Sequence, residues 1–214
     1  MSTRLTASAV VLWLVLLSLS IALTVLAAVH DTLPADTRIA SWGQGLAFPG
    51  QTLADAVRSV TSTQLILAGG GALAILLWLR GFRREALILA AGLIILPLLQ
   101  LGIKEMVDRP RPTEATEGIV ELRSSFNSPS FPSGHVMSTV YFYGFLAYLA
   151  VALPLATPAR AILATLSWAV LALTGPANVW LGVHWPSDVL GGYAWGTVLL
   201  LPVILACQRF GRHL

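Results

Sequence analysis

The sequence predicts an all-α polytopic membrane protein, a bundle of six transmembrane helices with one further helix in an outer loop at the membrane interface. Three observations carry that prediction. The 214 residues are 56 % hydrophobic and 11 % charged, with a mean hydropathy of +0.78, a composition foreign to soluble domains. Six apolar runs reach or approach the roughly 17–25 residues that a helix needs to cross a hydrocarbon core of about 30 Å. Charges fall between those runs, as they must when each one left in lipid costs about 2.5–3.5 kcal/mol on insertion scales.

The first run, Ala7–Val29, is longer than the roughly 7–15 apolar residues of a signal peptide, and the following "VLAAVHD" is a poor cleavage sequence, so a retained span is expected. A long loop follows, His30–Thr63, with "WGQGLAFPG" and then "QTLADAVRSV". In the latter, Leu53, Val57 and Val60 recur at helical spacing beside Asp55 and Arg58. Such a helix suits the membrane surface, either covering the tops of the spans or acting as a substrate-selecting lid. The second and third runs are Gln64–Leu79, the shortest, and Ala86–Ile103. A second long loop, Lys104–His135, precedes Val136–Leu155, Ala161–Val179 and Val189–Cys207. No repeat or low-complexity tract divides the chain, and a single membrane-embedded domain over 1–214 is expected.

Orientation follows from the cations. With six spans both termini share a side, and there Arg4, Arg80, Arg83, Arg84, Arg160, Arg209 and Arg212 face only Glu85, seven against one, for a net +6. The other side sets six cations (Arg38, Arg58, Lys104, Arg109, Arg111, Arg123) against nine carboxylates (Asp31, Asp36, Asp55, Glu105, Asp108, Glu114, Glu117, Glu121, Asp188), a net −3. The terminal side is therefore expected to be cytoplasmic in a cell or inner membrane, and the long loops to lie outside, where function concentrates. The basic balance is a matter of topology, not of nucleic-acid binding. One cysteine, Cys207, makes no internal disulfide. No His, Cys and carboxylate cluster has obvious metal-ligand spacing, so neither metal nor cofactor is expected. His30 and His213 suit solvated interface positions.

Three polar elements remain, all on the outer side. In "KEMVDRPRP", Lys104 and Arg111 stand seven apart; on a continuing helix that is two turns, which puts both cations on one face. The plain alternative is two cations snorkelling to headgroups. In "SPSFPSGH", Ser133 suits the N-cap of the fourth span, and Gly134 lets backbone N–H groups approach a ligand. A helix N-terminus favours an anion such as phosphate, with His135 beside it. In "GVHWPSD", His184 and Asp188 are four apart. The carboxylate can accept the Nδ1–H and leave Nε2 as a nucleophile, or the segment is an interfacial turn with Trp185 in the aromatic belt.

Together and in this order, the elements resemble the type 2 phosphatidic acid phosphatase superfamily, whose pattern is K-x6-R-P, then P-S-G-H, then S-R-x5-H-x3-D. Lys104, Arg111 and Pro112 match the first motif, Pro132 to His135 the second, and His184 with Asp188 the end of the third. The resemblance implies a metal-independent phosphatase acting on lipid phosphates at the outer membrane boundary. His184 would attack phosphorus and form a phosphohistidine, with His135 protonating the departing oxygen. Lys104, Arg111 and the N–H groups of Ser133 and Gly134 would hold the phosphoryl oxygens.

One departure stands out: where the family carries Ser-Arg, this chain has Ala177 and Asn178. Asparagine keeps an amide donor for the phosphate but loses the charge and the bidentate clamp. Three explanations stay open: Arg109 or Arg123 compensates, the subfamily tolerates asparagine, or the protein is impaired. The expected partners are the bilayer and a membrane lipid phosphate, with undecaprenyl pyrophosphate, phosphatidylglycerol phosphate, phosphatidate and lipid A phosphate as candidates. A non-catalytic lipid-phosphate binder and a lipid phosphotransferase are the alternatives.

Overall fold

The computed structural model describes residues 2–47, 49–113, 118–123 and 128–210. Glu114, Glu117, Arg212 and His213 lie outside them. Among the described residues the chain is wholly helical: α1 (Ser2–Val29), α2 (Asp36–Gln44), α3 (Gln51–Val60), α4 (Thr63–Leu79), α5 (Arg83–Val107), α6 (Gly134–Ala152), α7 (Thr157–Trp180) and α8 (Pro186–Phe210). Five helices are long and apolar enough to cross a membrane, and a sixth span arises if α3 and α4, bent by 47° at a short break, count as one. The shortest expected span is thus the one that differs. Ser62 starts α4 by accepting the Leu65 N–H on its Oγ at 3.3 Å, while Thr61 ends α3, so two caps meet at the bend.

The helix α6 is central, packed against both α7 and α8, and α1 lies outside against α8 and α5. Leu89 and Leu96 of α5 close against Met137, Tyr141, Phe145 and Leu149 of α6 in a shared core, and Tyr141 donates to the Leu89 carbonyl at 3.0 Å. Lipid tails are as apolar as these side chains, so van der Waals fit, not expulsion from water, holds the helices together. Gly192 shows how close that fit is. A Cβ there would stand 2.8 Å from the Ser133 carbonyl and 2.8 Å from Val136, so α8 meets the first turn of α6 backbone to side chain with nothing between.

The outer loop holds two helices where one was expected, since α2 precedes α3. The buried face of α3 also differs from the predicted stripe. Leu53 and Val60 are exposed, whereas Ala54, Val57 and Arg58 are buried. Small Ala54 lets α3 approach Ala177, Leu181 and Val183 closely, and that approach turns the neighbouring arginine inward. Exposed apolar side chains line the flanks of the bundle, Val11 and Ile94 among them, while Asp36, Arg58, Arg109, His184 and Asp188 are buried together at the end that carries the two long loops. His30 is exposed.

Candidate active site

A cavity of about 580 Å³ opens at that end. It is lined by Lys104 from α5, Arg111 and Ser128 from the second loop, Gly134 and His135 from the start of α6, and His184 from the turn before α8. Arg58 and Arg123 complete the cationic wall. Five of the residues singled out in the sequence therefore converge, although the whole of α6 and α7 lies between the first and the last of them along the chain.

Lys104 and Arg111 meet by a different route from the one their spacing suggested. The helix α5 stops at Val107, and Asp108 turns into the left-handed region at φ 44°. Pro110 and Pro112 forbid continuation, because a proline lacks the N–H and pushes its predecessor out of the helical region. Arg111 instead arrives on an extended segment, held by its Nη1 donating to the Val183 carbonyl at 2.6 Å and its Nε to the Ser128 carbonyl at 2.9 Å. Lys104 donates to the Pro129 carbonyl. The cations thus fix the loop as well as facing the cavity.

His184 is 2 % exposed. Two residues before it, Gly182 has a φ of +70°, and a Cβ there would stand 2.4 Å from the Val120 carbonyl, so the turn admits no side chain. The turn aims the ring so that Nε2 faces Arg111 Nη1 at 3.2 Å and Nδ1 faces Asp188 Oδ2 at 3.4 Å. A guanidinium only donates, so Nε2 must be the acceptor nitrogen and Nδ1 must carry the proton. Burial first, then Arg111, Lys104 and Arg58, hold the His184 pKa well below its ordinary 6.5, which keeps the ring neutral and nucleophilic. Burial likewise lowers Arg111, opposed by Asp188 and Glu121.

Asp188 does not reach the cavity. It stands behind His184, fully buried, accepting from Arg109 Nη1 at 2.7 Å, the Trp185 N–H at 2.9 Å and the Ser130 hydroxyl. Arg109 bridges on to Asp36 Oδ2 at 2.7 Å, and Ser187 donates to Asp36 from both its N–H, at 2.9 Å, and its hydroxyl, at 2.7 Å. A chain of alternating charge, Asp36–Arg109–Asp188, therefore runs from α2 to the neutral His184 ring. Asp36 was legible only as a loop carboxylate. Arg109, offered as a substitute for the missing motif arginine, cannot fill that role, since both ends of its guanidinium hold carboxylates away from the cavity.

Ser133 occupies the N-cap position of α6 but makes no side-chain capping bond. Among the described residues its buried Oγ has no hydrogen-bond partner, and its N–H donates to the Asp188 carbonyl at 3.0 Å. That N–H is therefore unavailable to an anion, whereas the N–H groups of Gly134 and His135, in the first turn, have no intrahelical acceptor. Gln100 steadies this turn by donating to the Gly134 carbonyl at 3.2 Å and Ser138 Oγ at 2.8 Å.

Asn178 is likewise buried behind the cavity wall, not on it. Its Nδ2 donates to the Thr174 carbonyl one turn back at 2.7 Å, and its Oδ1 accepts from Arg58 Nη1. The amide donor expected to face a phosphate is thus engaged within α7. Arg123 pairs with Asp55 at 2.6 Å at the exposed rim.

The PAP2 superfamily model matches residues 85–212, more than half of the chain. The protein belongs to the PAP2 superfamily. Phosphatidylglycerophosphatase B of Bacillus subtilis (strain 168) is 36 % identical over 107 residues, which are 50 % of this chain and 50 % of that protein. The match therefore spans about half the length of that curated relative. The crystal structure of the first transmembrane PAP2 type phosphatidylglycerolphosphate phosphatase from Bacillus subtilis aligns with a TM-score of 0.75, covering 94 % of this chain and 98 % of that one at 22 % identity. This likeness establishes the fold, and the PAP2 match places α5 to α8, with Lys104, His135 and His184, inside the shared region.

Proposed function

We propose that the protein is a membrane phosphatase that hydrolyses the phosphomonoester or pyrophosphate of a lipid headgroup through a phosphohistidine on His184. The observation that carries this reading is the His184 ring itself, with Nε2 on the cationic cavity and Nδ1 toward a buried carboxylate. A neutral imidazole so oriented attacks phosphorus with the Nε2 lone pair, forming a P–N bond as the P–O bond to the leaving group breaks. Asp188 stabilises the positive charge that develops on the ring. Lys104, Arg111 and the first-turn N–H groups of α6 hold the equatorial oxygens, and phosphoryl transfer depends on such positioning and charge neutralisation more than on covalent help.

His135 shares the cavity; once the anionic phosphate offsets the surrounding cations its ring takes up a proton, which it donates to the leaving oxygen. In the second step it takes a proton from a water that attacks phosphorus, the P–N bond breaks, and inorganic phosphate leaves with the imidazole restored. The names of the relatives favour phosphatidylglycerol phosphate as first substrate to test, with undecaprenyl pyrophosphate, phosphatidate and lipid A phosphate beside it. The charge asymmetry of the loops favours cytoplasmic termini and a site on the outer face.

Purified protein in detergent, offered each lipid in turn, is expected to release phosphate, and His184→Ala to lower that release by roughly 10³-fold or more. Release that survives in His184→Ala would refute the mechanism. Binding without release would favour a lipid-phosphate binder, and label passing to a second lipid a phosphotransferase.

A further inference from the structure

We propose that Arg58, carried by the outer helix α3, is a phosphate-binding residue that supplies from a different helix the guanidinium absent at position 178. The assignment rests on the phosphatase reading above for its substrate and on four observations for its geometry. Arg58 is 4 % exposed yet lines the same cavity as His184, His135, Lys104 and Arg111. Among the described residues no carboxylate lies within ion-pair distance of it, since Asp55, three positions away, is taken by Arg123. A guanidinium buried without a counter-ion is costly, and an anionic ligand in the cavity removes that cost.

The third observation is what Asn178 does. With its Nδ2 committed to Thr174, its Oδ1 faces Arg58 and accepts from Nη1. The asparagine that replaces the motif arginine is thus the acceptor that aims another arginine. Asn178 is a positioning residue, and Arg58 the ligand. The fourth is the packing of α3 on α7: Ala54 and Val57 against Ala177, Leu181 and Val183 bring position 58 beside position 178 across 120 residues of chain. An arginine at 178 would meet Arg58 head-on, so the two positions are alternatives for one charge.

The experiment compares wild type, Arg58→Ala and the double variant Arg58→Ala with Asn178→Arg, in detergent, by phosphate release and by orthovanadate binding. Arg58→Ala is expected to lower kcat/KM by about 10²–10³-fold, the usual cost of one oxyanion donor, and to weaken vanadate binding at least about tenfold. Returning the charge at 178 is expected to restore both to within about tenfold of wild type, which a purely structural role for Arg58 does not predict. If Arg58→Ala fails to fold, Arg58→Gln removes the charge while keeping a donor for Asn178, and the same losses are expected. Wild-type kcat/KM and vanadate affinity in either folded variant would overturn the assignment. Should wild type release no phosphate from any lipid, the phosphatase reading falls, and vanadate binding alone decides Arg58: weaker binding in the variant upholds it, equal binding overturns it.

Discussion

Asp36 offers the sharpest test of how the outer helices are tied to the His184 ring. It is 3 % exposed and receives four bonds, from Arg109 Nη2, the Ser187 hydroxyl, the Ser187 N–H and the Leu33 N–H, all between 2.7 and 2.9 Å. Replacing it by alanine leaves Arg109, whose side chain is 0 % exposed, with Asp188 as its remaining carboxylate. Breaking a buried pair by removing one partner costs about 3–5 kcal/mol. Because Asp188 still holds the other end of the guanidinium at 2.7 Å, the low end, about 3 kcal/mol, is appropriate. For a chain of this length about 1 kcal/mol moves Tm by roughly 2–4 °C, so Asp36→Ala is expected to lower the detergent Tm by about 6–12 °C. Asp36→Asn, which keeps an acceptor for Ser187, should fall between. Thermal unfolding followed by tryptophan fluorescence reads the shift, and Asp36→Ala melting within about 2 °C of wild type would refute the idea that the α2 carboxylate balances a buried charge.

The depressed His184 pKa predicts a neutral ring at pH 6, visible in the imidazole 15N shifts of the ligand-free protein; a protonated signal there would contradict it. The sign for stability follows: below about 6.5 the unfolded chain takes up a proton that the folded ring refuses, so stability falls as pH drops through that value and is unaffected above it. His184→Gln should remove that part of the acid sensitivity. Because cations around the cavity supply the charge that Mg²⁺ provides elsewhere, activity is expected to persist in EDTA, and strict dependence on added Mg²⁺ would count against the proposed chemistry.

The sequence disclosed what is local and lost what is distant. Lys104, Arg111, Gly134, His135 and His184 were legible because each sits in a short stretch whose polarity makes no sense inside an apolar run. The path of Arg111 was not, since seven-residue spacing looks helical until Pro110 and Pro112 are given their steric weight. Arg58 showed only as a polar position on an amphipathic helix. What makes it a cavity residue is the contact of Ala54 and Val57 with α7, and a small residue facing a distant partner leaves no pattern of its own. Asn178 read as an impoverished donor for the same reason: its acceptor oxygen has meaning only once Arg58 is beside it. Asp36 was invisible as a partner of Arg109 because 73 residues of chain lie between them.

The absence of a side chain at Gly192 has a bearing on how this protein can change over time. The turn bearing His135 and the helix that begins beside His184 are spaced by main chain and one short valine stem, not by interlocking bulky groups. Membrane-facing positions can then be exchanged freely among apolar types while the gap between the two imidazoles stays as it was. A chain can in this way reach 22 % identity with a solved structure and still superpose on nearly its whole length.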